Sequence, residues 1–345
     1  MCSVRVIGAQ IRYFQPSMRA TVVIPCYKPD RNFEKVLDDL NAQTSQEFEV
    51  LFADDGNTSP LEPRIFDRLK RPFRVIRFET NRGIVAGLNA CIAAASSPWV
   101  IRMDADDRMP PHRIQSQIEF MLAHPDVDVC GTSMAVFGSG LRVWSKPLSA
   151  SEVRAALLWG PSLNHPTVIA KTSVMQNNPY PEGYPLAEDY ALWLRLAQQD
   201  LVMVNVPEVL LHYRMEGQNT SQNGVDKRAH RYLSMFEFAL STLLPEADLP
   251  ALNAGVALGC HHRLAGMPLP SDLAAPSDLQ MNEHAARLIE ALAQCEAPWS
   301  RVARRQVETR LNQALGRTRW HKLRSVWDLR KLGLQDWTRL RSPGR

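Results

Sequence analysis

No stretch of this 345-residue chain approaches the ~20 consecutive apolar residues that a membrane-spanning helix needs. The first 20 residues carry Arg5, Arg12 and Arg19 through what would be the apolar part of a secretory signal, so export is not expected. Six cysteines (Cys2, Cys26, Cys91, Cys130, Cys260, Cys295) are scattered without a CxxC pair, which excludes a disulfide scaffold and argues against a thiolate metal cage. No GxGxxG follows the first apolar run and no GxxxxGK[ST] occurs, so neither a dinucleotide fingerprint nor a P-loop is present. No internal repeat of fixed period is visible, and no strand-like pattern is seen after about Gly217.

What is present is an ordinary globular composition, 45% hydrophobic and 22% charged, long enough to bury a substantial core. The net charge of +4 hides an uneven distribution. Residues 301–345 hold 13 Arg and Lys against three acids, leaving an acidic body and a basic tail suited to an anionic surface.

The first two thirds alternate β-rich runs with helical spacing, the pattern of a parallel α/β sheet. Thr21-Val22-Val23-Ile24 forms a strand that Pro25 is expected to stop, and Phe48–Ala53, Arg74–Phe78 and Trp99–Met103 form three more. Between them Phe33, Val36, Leu37 and Leu40 recur at helical spacing behind Asp30 or Asn32 as cap, and Ile84, Leu88, Cys91 and Ala95 mark a second helix. Pro110-Pro111 suit the first turn of a third, containing Ile114, Gln117, Ile118 and Met121. Two acidic clusters follow strands directly, at the sheet edge where open α/β folds bind ligands.

Asp104-Ala105-Asp106-Asp107 sets three carboxylates in four residues. Their mutual repulsion is relieved by a hard divalent cation such as Mg²⁺ or Mn²⁺, which also holds phosphates. A solvated acidic turn ahead of a helix is the bland alternative. Asp54-Asp55-Gly56-Asn57 ends the second strand and Pro25-Cys26-Tyr27 the first. A tyrosine that stacks on a base, an aspartate that accepts a base N–H and an acid cluster for a metal together describe a nucleotide-diphosphate site. Glu188-Asp189 heads a helix buried through Leu192, Trp193 and Leu196, where acids also suit the helix dipole.

ATVVIPCYKPD, VLFADDGNTSP, NRGIVAGLNACIAAASSPWVIRMDADDRMPPHRI, QIEFMLAHPDVDVCGT, NHPTVIAKTSV, AEDYALWLRLA and VPEVLLHYRMEGQNTS occur in that order over roughly residues 20–221. This series resembles a family 2 glycosyltransferase of GT-A fold, of the type that builds bacterial envelope polysaccharides. The resemblance implies a mostly parallel central sheet flanked by helices over residues 18–222, with an α-helical extension over 223–345. The boundary falls in the 217–230 stretch.

It also implies site residues. Pro25, Tyr27, Asp54 and Asp55 would hold the nucleoside, and Asp104 and Asp106 the metal or ribose, with Asp107 as the other metal ligand because Asp106-Asp107 can equally be the aligned pair. Asp189 would be the general base beside Glu188. Arg82, Asn81 and Asn89 are candidate phosphate or ribose contacts, and His165, His212 and Arg214 lie on the acceptor or diphosphate side. Met215-Glu216 stand where many relatives carry a histidine. Cys26 lines the pocket passively, and His261-His262 decorate a helix rather than bind metal.

The implied reaction is inverting transfer of a sugar from a nucleotide-diphosphate donor, most simply a UDP-sugar, to a hydroxyl of a glycan or lipid-linked acceptor, assisted by Mn²⁺ or Mg²⁺. A sugar-nucleotide nucleotidyltransferase would want a Gly-rich, Lys-containing phosphate loop, which Cys26-Tyr27-Lys28-Pro29 is not. A silent sugar-nucleotide-binding scaffold is the alternative from another class. In the tail, Trp320, Leu323, Trp327, Leu334 and Trp337 form an apolar stripe rimmed by Arg and Lys. It fits either an interfacial helix on anionic lipid or packing against the catalytic domain. The expected location is cytoplasmic, with peripheral contact at the inner membrane face. Nothing resembles a nucleic-acid module.

Overall fold

β-Branched and aromatic runs build one nine-stranded sheet in the computed structural model, which describes residues 5–10, 18–58, 61, 63–138, 140, 142–215, 225–245, 255–266, 269 and 274–315. The strands are β1 (Arg5–Gln10), β2 (Ala20–Cys26), β3 (Phe48–Asp55), β4 (Phe73–Phe78), β5 (Trp99–Arg102), β6 (Val129–Phe137), β7 (Arg142–Trp144), β8 (Ile169–Lys171) and β9 (Met203–Arg214). Their order is β1-β4-β3-β2-β5-β8-β6-β7, with β9 parallel to β6. The inner four, β4-β3-β2-β5, are mutually parallel. β1 joins β4 antiparallel, and β8 is antiparallel to both β5 and β6.

β2 does not stop at Pro25 but continues to Cys26, which pairs with Asp54. The proline is tolerated because β5 leaves β2 at Val23, so the side of Pro25 that lacks a donor has no ladder to complete. This early departure also aims the residues after Arg102 across the C-terminal edge of the sheet. The Met103 amide still reaches the Val23 carbonyl at 3.2 Å, and from Asp104 the chain turns free.

Six α-helices and two short 3-10 turns (Pro63–Arg68 and His165–Thr167) accompany the sheet among the described residues up to β9: α1 (Phe33–Asn41), α2 (Gly83–Ala94), α3 (Arg113–Ala123), α4 (Ala150–Ala156), α5 (Thr172–Asn177) and α6 (Glu188–Gln198). α1 buries Phe33, Val36, Leu37 and Leu40, as its spacing predicts, and Phe33 meets Phe52 edge-on at 5.7 Å. Each such side chain removed from water is worth about 1.5–3 kcal/mol. Asn32 precedes α1 without a side-chain cap bond; Asp30 instead accepts from its backbone and side-chain nitrogens at 2.7 and 3.0 Å. Pro110 and Pro111 lie before α3, not in its first turn. Their carbonyls take bonds from the Gln43 side chain and the Thr44 amide, so they tether the loop and the helix begins at Arg113.

The chain divides into compact units at Arg228/Ala229. The second unit contains most of α7 (Val225–Leu243), with α8 (Gly255–Leu264), α9 (Asp278–Gln294) and α10 (Pro298–Leu315). Ser277 and Gln280 form a reciprocal capping box at the start of α9. Phe236, Leu240, Met281, Leu288, Leu292 and Val307 fill this unit's core. His261 and His262 do not decorate a helix surface: both are fully buried, ringed against Phe236, and His261 lies 3.4 Å from His284. The Trp-rich tail lies outside the described residues. Among the described residues, no helix is long and apolar enough to cross a membrane.

Candidate active site

The C-terminal ends of β2, β3 and β5 bring the predicted donor residues to one edge, but their roles in the fold differ. Asp54 is buried and pairs with Arg77 on β4. It also accepts from the Asn57 side chain at 2.6 Å and the Leu61 amide at 3.2 Å. Asp55, equally buried, receives the Arg82 and Gly83 amides at 2.7 and 2.9 Å and the Asn81 side chain at 3.0 Å, so it caps α2. Asn81 therefore braces Asp55, and the Arg82 guanidinium lies 5.1 Å from the centroid of the Phe78 ring. Asn89 gives both ends of its amide to the backbone of Tyr180.

Tyr27 is 49% exposed, as a stacking platform must be. Its turn is held by Asn57, a residue the motif reading did not single out. The Asn57 side chain accepts the Lys28 amide at 2.6 Å and donates to the Cys26 carbonyl at 3.0 Å. Lys28 has a φ of 48°, a left-handed conformation that a non-glycine residue adopts only when its surroundings impose it. Beside it, Gly56 has a φ of 66°, and a Cβ there would meet the Asn81 amide nitrogen at 2.2 Å. Both turns depend on this close stitching. Cys26 is buried, and burial pushes its thiol well above the ordinary range, consistent with a passive role.

The Asp104–Asp107 loop faces two arginines. Arg102, 6% exposed, holds Asp104 at 2.6 Å, while Arg214 at the end of β9 bridges Asp106 and Asp30, both at 2.9 Å. Asp107 turns inward, fully buried, and accepts the Arg214 amide at 3.0 Å. Burial pushes its carboxyl well above the usual range, and burial together with Asp104 raises Asp106. His212 fixes the loop through its backbone: its amide and carbonyl pair with those of Arg108 at 2.7 and 3.0 Å. Its side chain is exposed.

Among the described residues no three His, Cys, Asp or Glu side chains converge into a self-sufficient metal site. The donor set still fits a hard divalent ion. Asp104 and Asp106 are 25% and 41% exposed at the side chain and each uses one oxygen on its arginine, leaving the other for a cation whose remaining ligands come from phosphate and water.

Glu188 and Asp189 open α6 as expected. Asp189 accepts the Tyr190 amide at 2.7 Å. Burial raises its carboxyl, opposed by that bond and by the charges of Arg102 and Lys146. Glu188 is raised by burial and by Asp189. Leu186, two residues before the helix, has a φ of 68°, so the approach to the acid pair is strained. The Nε2 of His165 lies 2.8 Å from the Tyr180 hydroxyl, and burial with Arg102 nearby depresses its imidazole well below the ordinary value. Asn164 is spent on the Thr132 and Trp144 carbonyls.

Arg102 thus exerts its charge on Asp104, Asp107, His165, Tyr180, Glu188 and Asp189. Sequence reading passed it over as the end of an apolar strand. An arginine closing so buried a run was the available cue.

Comparison with known proteins agrees with this architecture. Residues 21–174 match the model of glycosyl transferase family 2. An uncharacterized glycosyltransferase of Haemophilus influenzae is 31% identical over 220 residues, which cover 61% of this chain and 81% of that protein. Among solved structures, S. aureus TarS 1-349 in complex with UDP-GlcNAc is similar at a TM-score of 0.55 and 16% identity, covering 86% of this chain and 90% of the other. The mannosyltransferase PcManGT of Pyrobaculum calidifontis, in complex with GDP-Man and Mn²⁺, has a TM-score of 0.51 at 16% identity, covering 93% and 90%.

Proposed function

Because this chain belongs to glycosyl transferase family 2 and is a glycosyltransferase, we propose that it moves a sugar, with inversion, from a nucleotide-diphosphate donor to a hydroxyl of an envelope glycan or lipid-linked acceptor. What supports this reading is one buried cation, Arg102, which bonds Asp104 at 2.6 Å and whose charge also acts on Asp107 and on the Glu188–Asp189 pair. The chemistry is assigned to residues 18–222, with 223–345 as a helical extension. A cytoplasmic site, in contact with the inner membrane face through the basic tail, gives access to both substrates.

Tyr27 stacks on the nucleobase, and Asp54 and Asp55 shape the nucleoside pocket from below through Asn57, Asn81 and Arg82. UDP is the preferred nucleotide, in keeping with the UDP-GlcNAc bound by TarS. Asp104 and Asp106 would hold Mn²⁺ or Mg²⁺, as the Mn²⁺-bound mannosyltransferase suggests, with Asp107 braced behind them. When bound, that ion supplies Lewis-acid stabilisation of the departing diphosphate. Arg214, which bridges Asp106 and Asp30, would add a guanidinium to the same charge. Asp189 takes the proton of the acceptor hydroxyl as its oxygen attacks the anomeric carbon. The new glycosidic bond forms as the bond to the diphosphate breaks on the opposite face, which inverts the centre. His165, kept neutral and hydrogen-bonded to Tyr180, lines the acceptor side.

The test is a thermal-shift panel of UDP, GDP and dTDP, each with and without Mn²⁺, on wild type and Asp106→Ala. A ligand at 100 times its Kd stabilises the native state by about 2.7 kcal/mol. A shift for one nucleotide that requires both Mn²⁺ and Asp106 is expected; no shift with any of them would count against the donor site. Asp189→Asn should keep that shift and lose turnover of the matching nucleotide sugar by about 10²–10⁴-fold. Turnover that survives the change removes Asp189 as the base.

A further inference from the structure

Two arginines of the first unit meet carboxylates in opposite ways. Arg108 grips Asp39 as a closed fork, Nε on one oxygen and Nη2 on the other, both at 2.6 Å, and the Met109 amide adds a third bond at 3.1 Å. Both oxygens of Asp39 are engaged, as suits a permanent tie between α1 and the loop ahead of α3. Arg214 instead divides its fork between two acids, Nη1 on Asp30 and Nη2 on Asp106, both at 2.9 Å. Asp30 is itself fixed: it accepts the Asn32 amide at 2.7 Å and the Asn32 side chain at 3.0 Å, three residues beyond Tyr27. Arg214 is fixed at its root, where Asp107 accepts its amide at 3.0 Å, and its side chain is 15% exposed, so little of it reaches water.

Asp106 is one of the two acids read as holding a divalent cation. A guanidinium and a dication on one carboxylate repel, and an arginine closed onto Asp106 alone would compete for it. We infer that Asp30 is a positioning residue for the donor site: bonded to Arg214 at 2.9 Å, it draws the guanidinium to its own side, which opens Asp106 to the cation and keeps Arg214 at hand for the diphosphate. The split fork suits this task. Its bond to Asp106 can lengthen while the bond to Asp30 holds, whereas a closed fork of the Arg108 kind would have to give up both bonds at once.

This inference rests on Asp106 as a metal ligand, and its test reads Mn²⁺ binding rather than turnover. Free Mn²⁺ is followed by electron paramagnetic resonance as it is titrated into the nucleotide-free full chain. Wild type, Asp30→Asn, Arg214→Ala and the double variant form a cycle. Asparagine keeps an oxygen for the Asn32 amide and removes the charge. The Kd for Mn²⁺ should rise roughly 3–5-fold in Asp30→Asn, the scale of one half-exposed ion pair, and fall in Arg214→Ala, where the competitor is gone. The double variant should match Arg214→Ala within about twofold, because Asp30 acts through the arginine. Equal weakening by Asp30→Asn in both backgrounds would make Asp30 a direct ligand or a bare counter-charge and overturn the inference, as would an unchanged or lower Kd in Asp30→Asn alone. Mn²⁺ binding that Asp106→Ala does not weaken would overturn the metal assignment instead, and the inference with it. Should Asp30→Asn fail to fold, ¹⁵N-labelled arginine gives a second reading. The Arg214 Nη signals, assigned by their loss in Arg214→Ala, should stay separate in Asp106→Ala, because Asp30 still restrains the guanidinium. Their merging into one averaged signal would overturn the inference.

Discussion

Replacing Asn57 with alanine should damage both the stability of the first unit and its nucleotide site, for a reason that can be worked from the bonds. The Asn57 side chain makes three hydrogen bonds in a buried pocket: from the Lys28 amide at 2.6 Å, to the Cys26 carbonyl at 3.0 Å and to the Asp54 carboxylate at 2.6 Å. The two neutral bonds are worth about 1 kcal/mol each and the charge-assisted one about 1.5–3 kcal/mol. Relaxation of the left-handed Lys28 recovers about 1 kcal/mol of strain. Asp54 keeps its bonds from Arg77, Leu61 and the Asn57 amide, so its charge is not stranded. The net loss is then about 3 kcal/mol, read as a lower urea midpoint at unchanged slope. Because the Tyr27 turn loses its anchor, the stabilisation by UDP and Mn²⁺ should fall more than the loss of fold alone explains, which isothermal calorimetry on the folded variant resolves. A loss below about 1 kcal/mol with unchanged nucleotide affinity would refute the reasoning.

Gly56→Ala should be at least as severe, since a Cβ 2.2 Å from backbone atoms of Thr80 and Asn81 cannot be accommodated by a side-chain shift; thermal unfolding of the variant checks this, and a melting temperature near wild type would contradict it. The second unit carries a pH dependence of its own. His284 is buried, 3.4 Å from His261, and burial holds its imidazole well below the ordinary 6.5. The unfolded chain then binds more protons than the folded one below about pH 6.5, so stability falls as pH is lowered through that value. Amide protection factors in α8 and α9, after division by the intrinsic exchange rate at each pH, should fall between pH 7.5 and pH 5.5 by more in wild type than in His284→Phe, and an equal fall would remove His284 as the cause.

The four parallel strands β2–β5 were legible because they are short runs of Val, Ile and Phe, with one acidic cluster closing β3 and another just past β5; β1 and β6–β9 were not read as strands. The helical face of α1 was legible by its period, whereas of the face read for α2 only Leu88 and Cys91 are buried within the helix: Ile84 is half-buried, Ala95 lies just past its end, and Gly87 and Ile92 complete the buried side. What escaped was set by pairings between distant segments. Pro25 ends a strand by local propensity, but β5 had already left its side of the ladder. Pro110-Pro111 suit a helix start, yet Gln43 and Thr44 claim their carbonyls. At the site, the acid types were visible but their partners were not: nothing in VLFADDGN tells that Asp54 is matched to Arg77 or that Asp55 closes a helix. Arg102, Asn57 and Lys146 lie in an apolar strand, a turn and a connector, where a polar residue has no periodic signature. His261-His262 follow a cysteine on a mixed helix, and only the packing around Phe236 reveals them as core.

The ribosome meets these constraints in a fixed order. Arg214 braces Asp106 from 108 residues further along the chain, and the backbone bridge between Arg108 and His212 spans nearly the same interval. At about 5–20 residues per second, the acidic loop is complete some 5–20 s before the strand that clamps it has been made. Throughout that interval the nascent chain carries a cluster of neighbouring carboxylates with one of its two arginines already in place and the other not yet synthesised. Donor-site assembly is therefore a late event of synthesis, and a chain truncated before β9 would lack the clamp however well its first strands had formed.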